Sequence, residues 1–185
     1  MEVSTTDEVD VVGVVPTDGR GSLPFALLHG ESLVAVAAWA LGEAEAELLD
    51  FDTSWSAVQG REALLVVHDP LCPATPVAFL REAIAIAAAK QSVVVGVRPV
   101  TDTVKAMAGD LVGGTVDRED LVGVASPLVL PAGVVAALEE WPSLDDLSAL
   151  VSSLRERFPV FFLEAPALGR RVSDESDVRL LEAMS

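Results

Sequence analysis

The stretch Leu64-Leu65-Val66-Val67-His68-Asp69 decides the fold that this sequence predicts. Its first four residues are all apolar. An unbroken apolar run of this length is typical of a strand inside a parallel sheet, where helices cover both faces. The polar pair that follows, His68 and Asp69, stands at the carboxyl end of the predicted strand, where α/β sheets place their ligand sites.

Two further strands and two helices are predicted around this stretch. Residues 11–16 form a short β-rich run, and residues 92–97 read as a second buried strand. Apolar residues recur at helical spacing over residues 31–49, and residues 76–90 are periodic and rich in alanine. The resulting order, β-α-β-α-β, predicts an α/β fold: a three-layer α/β/α sandwich around a mainly parallel, mixed sheet.

The pattern changes after residue 100. Residues 103–107 and 115–116 flank Ala108-Gly109-Asp110, which predicts a short hairpin arm over about residues 103–118. Beyond the arm we expect strands at 121–124 and 160–163, helices at 131–140 and 145–157, and a C-terminal helix capped by Ser173. Because no repeat or linker marks a second domain, residues 1–185 are interpreted as a single domain.

The charge balance disfavours several partners. The formal net charge is -17, and a field of that sign repels nucleic acid and anionic membranes. The same field opposes a nucleoside triphosphate. Any phosphate site therefore needs a local cluster of the scarce cations, of which only Lys90 and Lys105 are lysines.

Cysteine and histidine are scarce as well. Cys72 is the only cysteine, and His29 and His68 are the only histidines, so an intrachain disulfide and a histidine-rich metal site are excluded. The acidic N-terminus lacks the basic region of a secretory signal, and no apolar run is long enough to span a bilayer. We therefore expect a cytoplasmic protein.

A glycine-rich turn, Pro16-Thr17-Asp18-Gly19-Arg20-Gly21, follows the first strand. The loop between the first strand and the first helix is where an α/β sheet presents backbone N–H groups to phosphates. The residues alone also allow a strand-to-helix turn without a ligand. His68 has two interpretations too, a ligand-site residue or a packed, hydrogen-bonded imidazole.

Three motifs, taken in order, carry a resemblance to one family. They are Val66-Val67-His68-Asp69-Pro70, Val100-Thr101-Asp102-Thr103-Val104-Lys105 and Gly113-Gly114-Thr115-Val116-Asp117-Arg118-Glu119. Together they resemble the methylerythritol-phosphate cytidylyltransferases, which make CDP-methylerythritol in isoprenoid synthesis. The resemblance implies a nucleotide-diphospho-sugar-transferase-like fold, a homodimer formed through the arm, and Mg²⁺ as cofactor if the protein is active.

The same resemblance implies two groups of site residues, which would hold a nucleotide and a sugar phosphate. The nucleotide group is Pro16, Gly19, Gly21, His68 and Asp69, with Asp69 also the candidate metal ligand. The substrate group is Asp102, Thr103, Lys105, Arg118, Ser126 and Arg171.

The departures from the family pattern fall on the nucleotide group. Leu23 stands where the family has its catalytic arginine, Phe25 stands in place of a lysine, and Cys72 in place of another arginine. Residues 50–61 lack the Gly-Gly loop that contacts the nucleotide in the family. Nucleotidyl transfer depends on cations that stabilise charge on the phosphates, and losing one such donor typically raises the barrier by about 2.7–4 kcal/mol.

Three functional hypotheses follow. The first is a divergent family member that is catalytically impaired or inactive and acts in binding or regulation. The second is an active cytidylyltransferase that transfers CMP from CTP to methylerythritol phosphate, with Arg20 as a possible catalytic cation assisted by Arg98. The third is a structural or interaction module that binds no small molecule.

Overall fold

The computed structural model describes residues 9–99 and 122–185, and its centre is a six-stranded sheet. The strands are β1 (Val11–Val14), β4 (Glu47–Leu48), β5 (Leu64–Val67), β6 (Val93–Pro99), β7 (Val122–Leu130) and β8 (Val160–Glu164). A separate two-stranded sheet pairs β2 (Leu27–Leu28) with β3 (Glu31–Ser32). The helices are α1 (Leu33–Glu43), α2 (Trp55–Gly60), α3 (Val77–Lys90), α4 (Ala132–Ala137), α5 (Leu147–Arg155) and α6 (Glu175–Met184).

The order of strands in the main sheet is β4-β1-β5-β7-β6-β8. β1 is parallel to β4 and β5, and β6 is parallel to β8, whereas β7 runs antiparallel to both of its neighbours. The prediction of a mainly parallel, mixed sheet is confirmed. β1 and β5 therefore deliver the chain to the same edge of the sheet, which is where the glycine turn and His68-Asp69 lie.

Helices cover both faces of the sheet. On one face, Leu41 of α1 and Ala83 of α3 pack against Leu64 and Val94. On the other face, α2, α4 and α5 contribute buried side chains to a larger cluster around Leu65 and Val95. Burial of β5 on both faces explains its unbroken apolar sequence. The predicted three-layer α/β/α sandwich is confirmed.

The predicted helix over residues 31–49 is too long. The helix begins after Ser32, whose hydroxyl accepts a hydrogen bond from the Ala35 N–H, and it ends at Glu43. The chain reverses there because Glu45 takes a left-handed backbone conformation (φ 66°), which lets the Ala46 N–H bond to the carbonyl of Leu41. The residues that follow form β4.

Other element boundaries also differ from the prediction. α2 lies within residues 50–61, where the sequence pattern predicts no helix, and Ser54 caps it. α5 begins at Leu147, with Asp146 as its N-cap, instead of at residue 145. The N-cap of α6 is Asp174 instead of Ser173. β7 continues beyond residue 124 to Leu130 because residues 128–130 are apolar and fully buried. The predicted hairpin arm lies outside the described residues.

None of the helices in residues 9–99 and 122–185 combines the length and the apolarity needed to cross a membrane.

Candidate ligand cleft

The glycine turn adopts a backbone that requires glycine at one position. Gly19 and Gly21 both have positive φ values, 73° and 59°. A Cβ atom on Gly19 would lie 2.9 Å from the Cβ and carbonyl oxygen of Asp145, whereas one on Gly21 would meet nothing within 4 Å. Gly19 is therefore needed both for its conformation and for its close contact with the segment before α5.

His68 and Ser126 form a buried pair beneath the turn. His68 Nδ1 lies 2.5 Å from the hydroxyl oxygen of Ser126, which also accepts a hydrogen bond from the Asp69 N–H at 3.0 Å. Both side chains are fully buried. Burial lowers the pKa of His68 to about 4, so the imidazole is neutral at physiological pH. This geometry supports the interpretation of His68 as a packed, hydrogen-bonded residue that holds Asp69 in place.

Asp69 accepts bonds from two arginines on its two carboxylate oxygens. Arg20 Nε lies 2.9 Å from Oδ1 and Arg171 Nε lies 3.1 Å from Oδ2, and the Leu71 N–H also donates to Oδ1. The side chain of Asp69 is only 4% exposed. A buried carboxylate is stable in such a place because charge-assisted hydrogen bonds replace its hydration.

The two arginines differ in their access to solvent. Arg20 donates through Nη1 to the carbonyl oxygens of Asp18 (2.6 Å) and Leu144 (3.0 Å), and its side chain is 1% exposed. The side chain of Arg171 is 43% exposed. Arg171 is held near Asp69 by Val172, a buried residue whose N–H donates to the carbonyl of Leu71, two positions after Asp69. Of the two, Arg171 is the cation that an incoming ligand could reach.

These groups line a cavity of about 460 Å³, the arginine cavity. Its described lining residues are Gly19, Arg20, Asp69, Val124, Asp145, Asp146, Leu147, Ser148 and Arg171. Three aspartates accompany two arginines, so the described lining carries a formal charge of -1.

A second cavity of about 360 Å³, the acidic cavity, is lined by the first half of the glycine turn. Its described lining residues are Val14, Val15, Pro16, Thr17, Asp18, Leu49, Asp50, Phe51, Trp141, Pro142, Ser143, Leu144 and Asp145. They include three aspartates and neither lysine nor arginine. Phe51 and Trp141 offer aromatic surface on which a flat ring could stack.

The structure brings part of the predicted site together. Gly19, Asp69 and Arg171 line the arginine cavity, and Pro16 lines the acidic one. Ser126 and His68 are fully buried and line neither of these two cavities in the described part of the chain. Asp102, Thr103, Lys105 and Arg118 lie outside the described residues.

Arg98, the candidate assistant of Arg20, and Cys72, which replaces a family arginine, are not among the described lining residues of either cavity. Arg98 donates through Nη1 to the carbonyl of Ala165 at 2.8 Å and lines neither cavity in the described part of the chain. Cys72 is fully buried, and burial raises the pKa of its thiol, as expected for an unreactive small apolar residue.

Sequence reasoning missed the role of the segment before α5. Leu144 and Asp145 contact the glycine turn directly, and Asp146 caps α5 by accepting bonds from the N–H groups of Ser148 and Ala149. The signal in the sequence is the pair Asp145-Asp146 followed by Ser148. Those residues indicate a helix start, but nothing local indicates a contact with Gly19.

A magnesium ion at Asp69 would have to compete with groups of the protein itself. Both oxygens of Asp69 bind arginines, and Oδ1 of Asp146 is engaged in capping. Within residues 9–99 and 122–185, no group of three or more His, Cys, Asp or Glu side chains is arranged to hold a metal ion. The assignment of Asp69 as a metal ligand therefore stays a prediction from the resemblance.

A mixed sheet covered by helices on both faces, with a glycine turn and cavities at the edge reached by β1 and β5, is typical of α/β proteins that bind ligands at the carboxyl ends of their strands. A family model described as 2-C-methyl-D-erythritol 4-phosphate cytidylyltransferase (IspD) matches residues 5–145. Because this match spans more than half of the chain, the chain belongs to that family. The predicted resemblance is confirmed. A comparison with curated protein sequences gave no match.

Solved structures show the same fold. The 2-C-methyl-D-erythritol 4-phosphate cytidylyltransferase of Thermus thermophilus superposes with a TM-score of 0.65 at 22% identity, over 95% of this chain and 98% of that one. The 4-diphosphocytidyl-2C-methyl-D-erythritol synthase of Anaerococcus prevotii gives 0.65 at 15% identity, with the same coverage. The bifunctional IspDF of Campylobacter jejuni gives 0.61 at 13% identity, over 92% of this chain and 53% of that one.

Proposed function

We propose that this chain is a catalytically impaired member of the cytidylyltransferase family that retains a binding or regulatory role. The observation that carries the proposal is the state of Arg20. Its guanidinium is buried and bonded to Asp69, Asp18 and Leu144, so it is not free to bind a phosphate.

The electrostatics of the cleft support the same proposal. A nucleoside triphosphate would enter two cavities whose described linings hold Asp18, Asp50, Asp69, Asp145 and Asp146 against two arginines, both paired with Asp69. Phosphoryl transfer depends almost entirely on positioning and on cations that stabilise the developing charge. A cleft with this balance opposes both the binding of the triphosphate and the reaction.

The test begins with pyrophosphate release from CTP and methylerythritol phosphate in the presence of Mg²⁺. The proposal predicts release at the rate of a blank without protein. Release that depends on the protein and is abolished by Asp102→Ala would favour the alternative, an active cytidylyltransferase.

A gain-of-function variant tests the cause of the impairment. Phe25 stands at the position of the family's lysine, and the residue is 59% exposed, so Phe25→Lys adds a cation without disturbing the core. A hydrogen bond to a charged group contributes about 1.5–3 kcal/mol. We expect CTP affinity to rise by about tenfold to a hundredfold in Phe25→Lys.

Phe25→Gln is the matched control because it removes the ring and adds no charge. Equal CTP affinities for the Lys and Gln variants would contradict a shortage of cations as the cause. If CTP, cytidine and methylerythritol phosphate all failed to bind to every variant, the result would instead favour a module without a small-molecule ligand.

We further propose that the protein forms a homodimer through the arm at about residues 103–118. This proposal rests on the family resemblance. Analytical ultracentrifugation tests it, since deletion of residues 108–114 should convert a dimer into a monomer, and a wild-type monomer would contradict it.

A further inference from the structure

A segment that joins α4 to α5, residues 138–146, crosses the cleft, and we name it the strap. Two tryptophans hold its first half. Trp55 Nε1 donates to the carbonyl of Leu138 and Trp141 Nε1 donates to the carbonyl of Thr53, both at 2.9 Å. The two indole rings also pack together, with centroids 4.8 Å apart and planes at 56°. This end of the strap is therefore fixed to α2 and the residue pair before it.

The second half of the strap contacts the glycine turn. Arg20 Nη1 donates to the carbonyl oxygen of Leu144 at 3.0 Å. Gly19 lies so close to Asp145 that a Cβ on Gly19 would fall within 2.9 Å of the Asp145 carbonyl. We name this contact, formed by Gly19 and Arg20 on one side and Leu144 and Asp145 on the other, the seam.

The seam lies between the two cavities. Gly19, Arg20 and Asp145 line the arginine cavity, whereas Leu144 and Asp145 line the acidic cavity. Asp145 belongs to both, so the two cavities meet at this residue. A ligand that occupies both cavities at once would therefore pass over the seam.

We propose that the seam sets the length of the ligand that the cleft admits. The hydrogen bond from Arg20 Nη1 to the Leu144 carbonyl, which we name the latch, keeps the seam closed. A ligand that fills one cavity, of the size of a nucleoside or a small phosphate, enters without breaking the seam. A ligand that must span both cavities, of the size of a nucleotide joined to a sugar alcohol, requires the bond from Arg20 to Leu144 to break. This inference rests on the proposed function only in taking the same cleft as the binding site.

Arg20 and Arg171 provide a matched pair of variants for the latch. Both bind Asp69, but only Arg20 also bonds to the strap. Endoproteinase Asp-N cleaves before aspartate. The rate of cleavage of the Leu144–Asp145 peptide bond, whose carbonyl accepts the bond from Arg20, therefore reports how often the seam opens. We expect Arg20→Lys to accelerate cleavage at this bond by about tenfold relative to wild type, and Arg171→Lys to leave it unchanged, because a lost hydrogen bond from a charged group raises the population of the open segment.

Cleavage before Asp10, which is exposed and pairs with Arg61 instead of the strap, serves as the internal reference in the same digest. The lysine variants keep the charge beside Asp69, and circular dichroism shows whether each has folded. Trp55→Phe gives a second route, since it loosens the strap at its other end without altering the cleft charges. If neither Arg20→Lys nor Trp55→Phe were cleaved faster than wild type at the Leu144–Asp145 bond, the latch would be overturned.

Ligand length is tested with two compounds and the same variants by thermal shift. Cytidine fits one cavity and should shift wild type and Arg20→Lys alike, whereas CDP-methylerythritol should shift Arg20→Lys by several degrees more than wild type. The same gain is expected in Trp55→Phe, which loosens the strap and replaces neither arginine, so relief of the cation shortage is not its cause. No gain for CDP-methylerythritol would overturn the length selection and would leave the proposed impairment standing.

Discussion

Replacing Asp69 with asparagine removes the one negative charge that holds Arg20 and Arg171 together. The amide oxygen can still accept from Arg20 Nε and from the Leu71 N–H, but the amide nitrogen then faces Arg171 Nε, where two donors repel each other. Arg171 is 43% exposed and can turn into water at little cost, whereas Arg20 is 1% exposed and cannot. Most of the penalty therefore comes from leaving the Arg20 guanidinium buried without a counter-charge.

Breaking a buried ion pair by neutralising one partner typically destabilises a protein by about 3–5 kcal/mol. We expect urea denaturation to show a loss of that size in the free energy of unfolding of Asp69→Asn. Asp10→Asn is the control, because the pair between Asp10 and Arg61 spans 3.4 Å and its side chains are 50% and 35% exposed. A salt bridge this close to solvent contributes about 0–1 kcal/mol. A loss below about 1 kcal/mol in Asp69→Asn, equal to that of the control, would refute the view that this cluster is a buried structural element.

Two further predictions concern the glycine turn and the buried histidine. Gly19→Ala should lower the free energy of unfolding by about 2–4 kcal/mol, because it adds both left-handed strain and a clash with Asp145. Gly21→Ala should lose about 1–2 kcal/mol, from the strain alone. Equal losses in denaturant melts would contradict the Gly19–Asp145 contact. The folded-state pKa of His68, about 4, lies below its ordinary value of 6.5, so the unfolded chain binds an extra proton between these limits and stability falls as pH drops through this window. Between pH 6.5 and 4 the free energy of unfolding of wild type should fall by about 3 kcal/mol more than that of His68→Gln. Parallel curves of unfolding free energy against pH would show that His68 is accessible to protons in the folded state.

The sheet could be predicted because its strands carry their own signal. The apolar run of β5 indicated burial on both faces, and Asp69, which follows this strand, lines the arginine cavity. The end of α1 could not be predicted in the same way, since Glu45 adopts a positive φ without being the glycine or asparagine that usually marks such a turn.

The site depends on contacts between residues that lie far apart in sequence. Arg171 reaches Asp69 across 102 positions, and Ser126 reaches His68 across 58. Both contacts follow from strand order and loop packing, which no local pattern encodes. Arg20 is the clearest example of a contact that the local sequence does not predict. The sequence indicates a possible catalytic cation on a phosphate-binding loop. In the structure Arg20 instead donates to the carbonyls of Asp18 and Leu144.

Isothermal titration calorimetry of the wild-type protein with CTP and Mg²⁺ tests the central claim most directly. With Arg20 buried and Arg171 paired with Asp69, we expect a dissociation constant weaker than about 1 mM. A dissociation constant near about 10 μM, lost on substitution of Arg20, would show that these cations bind the triphosphate and would contradict the account.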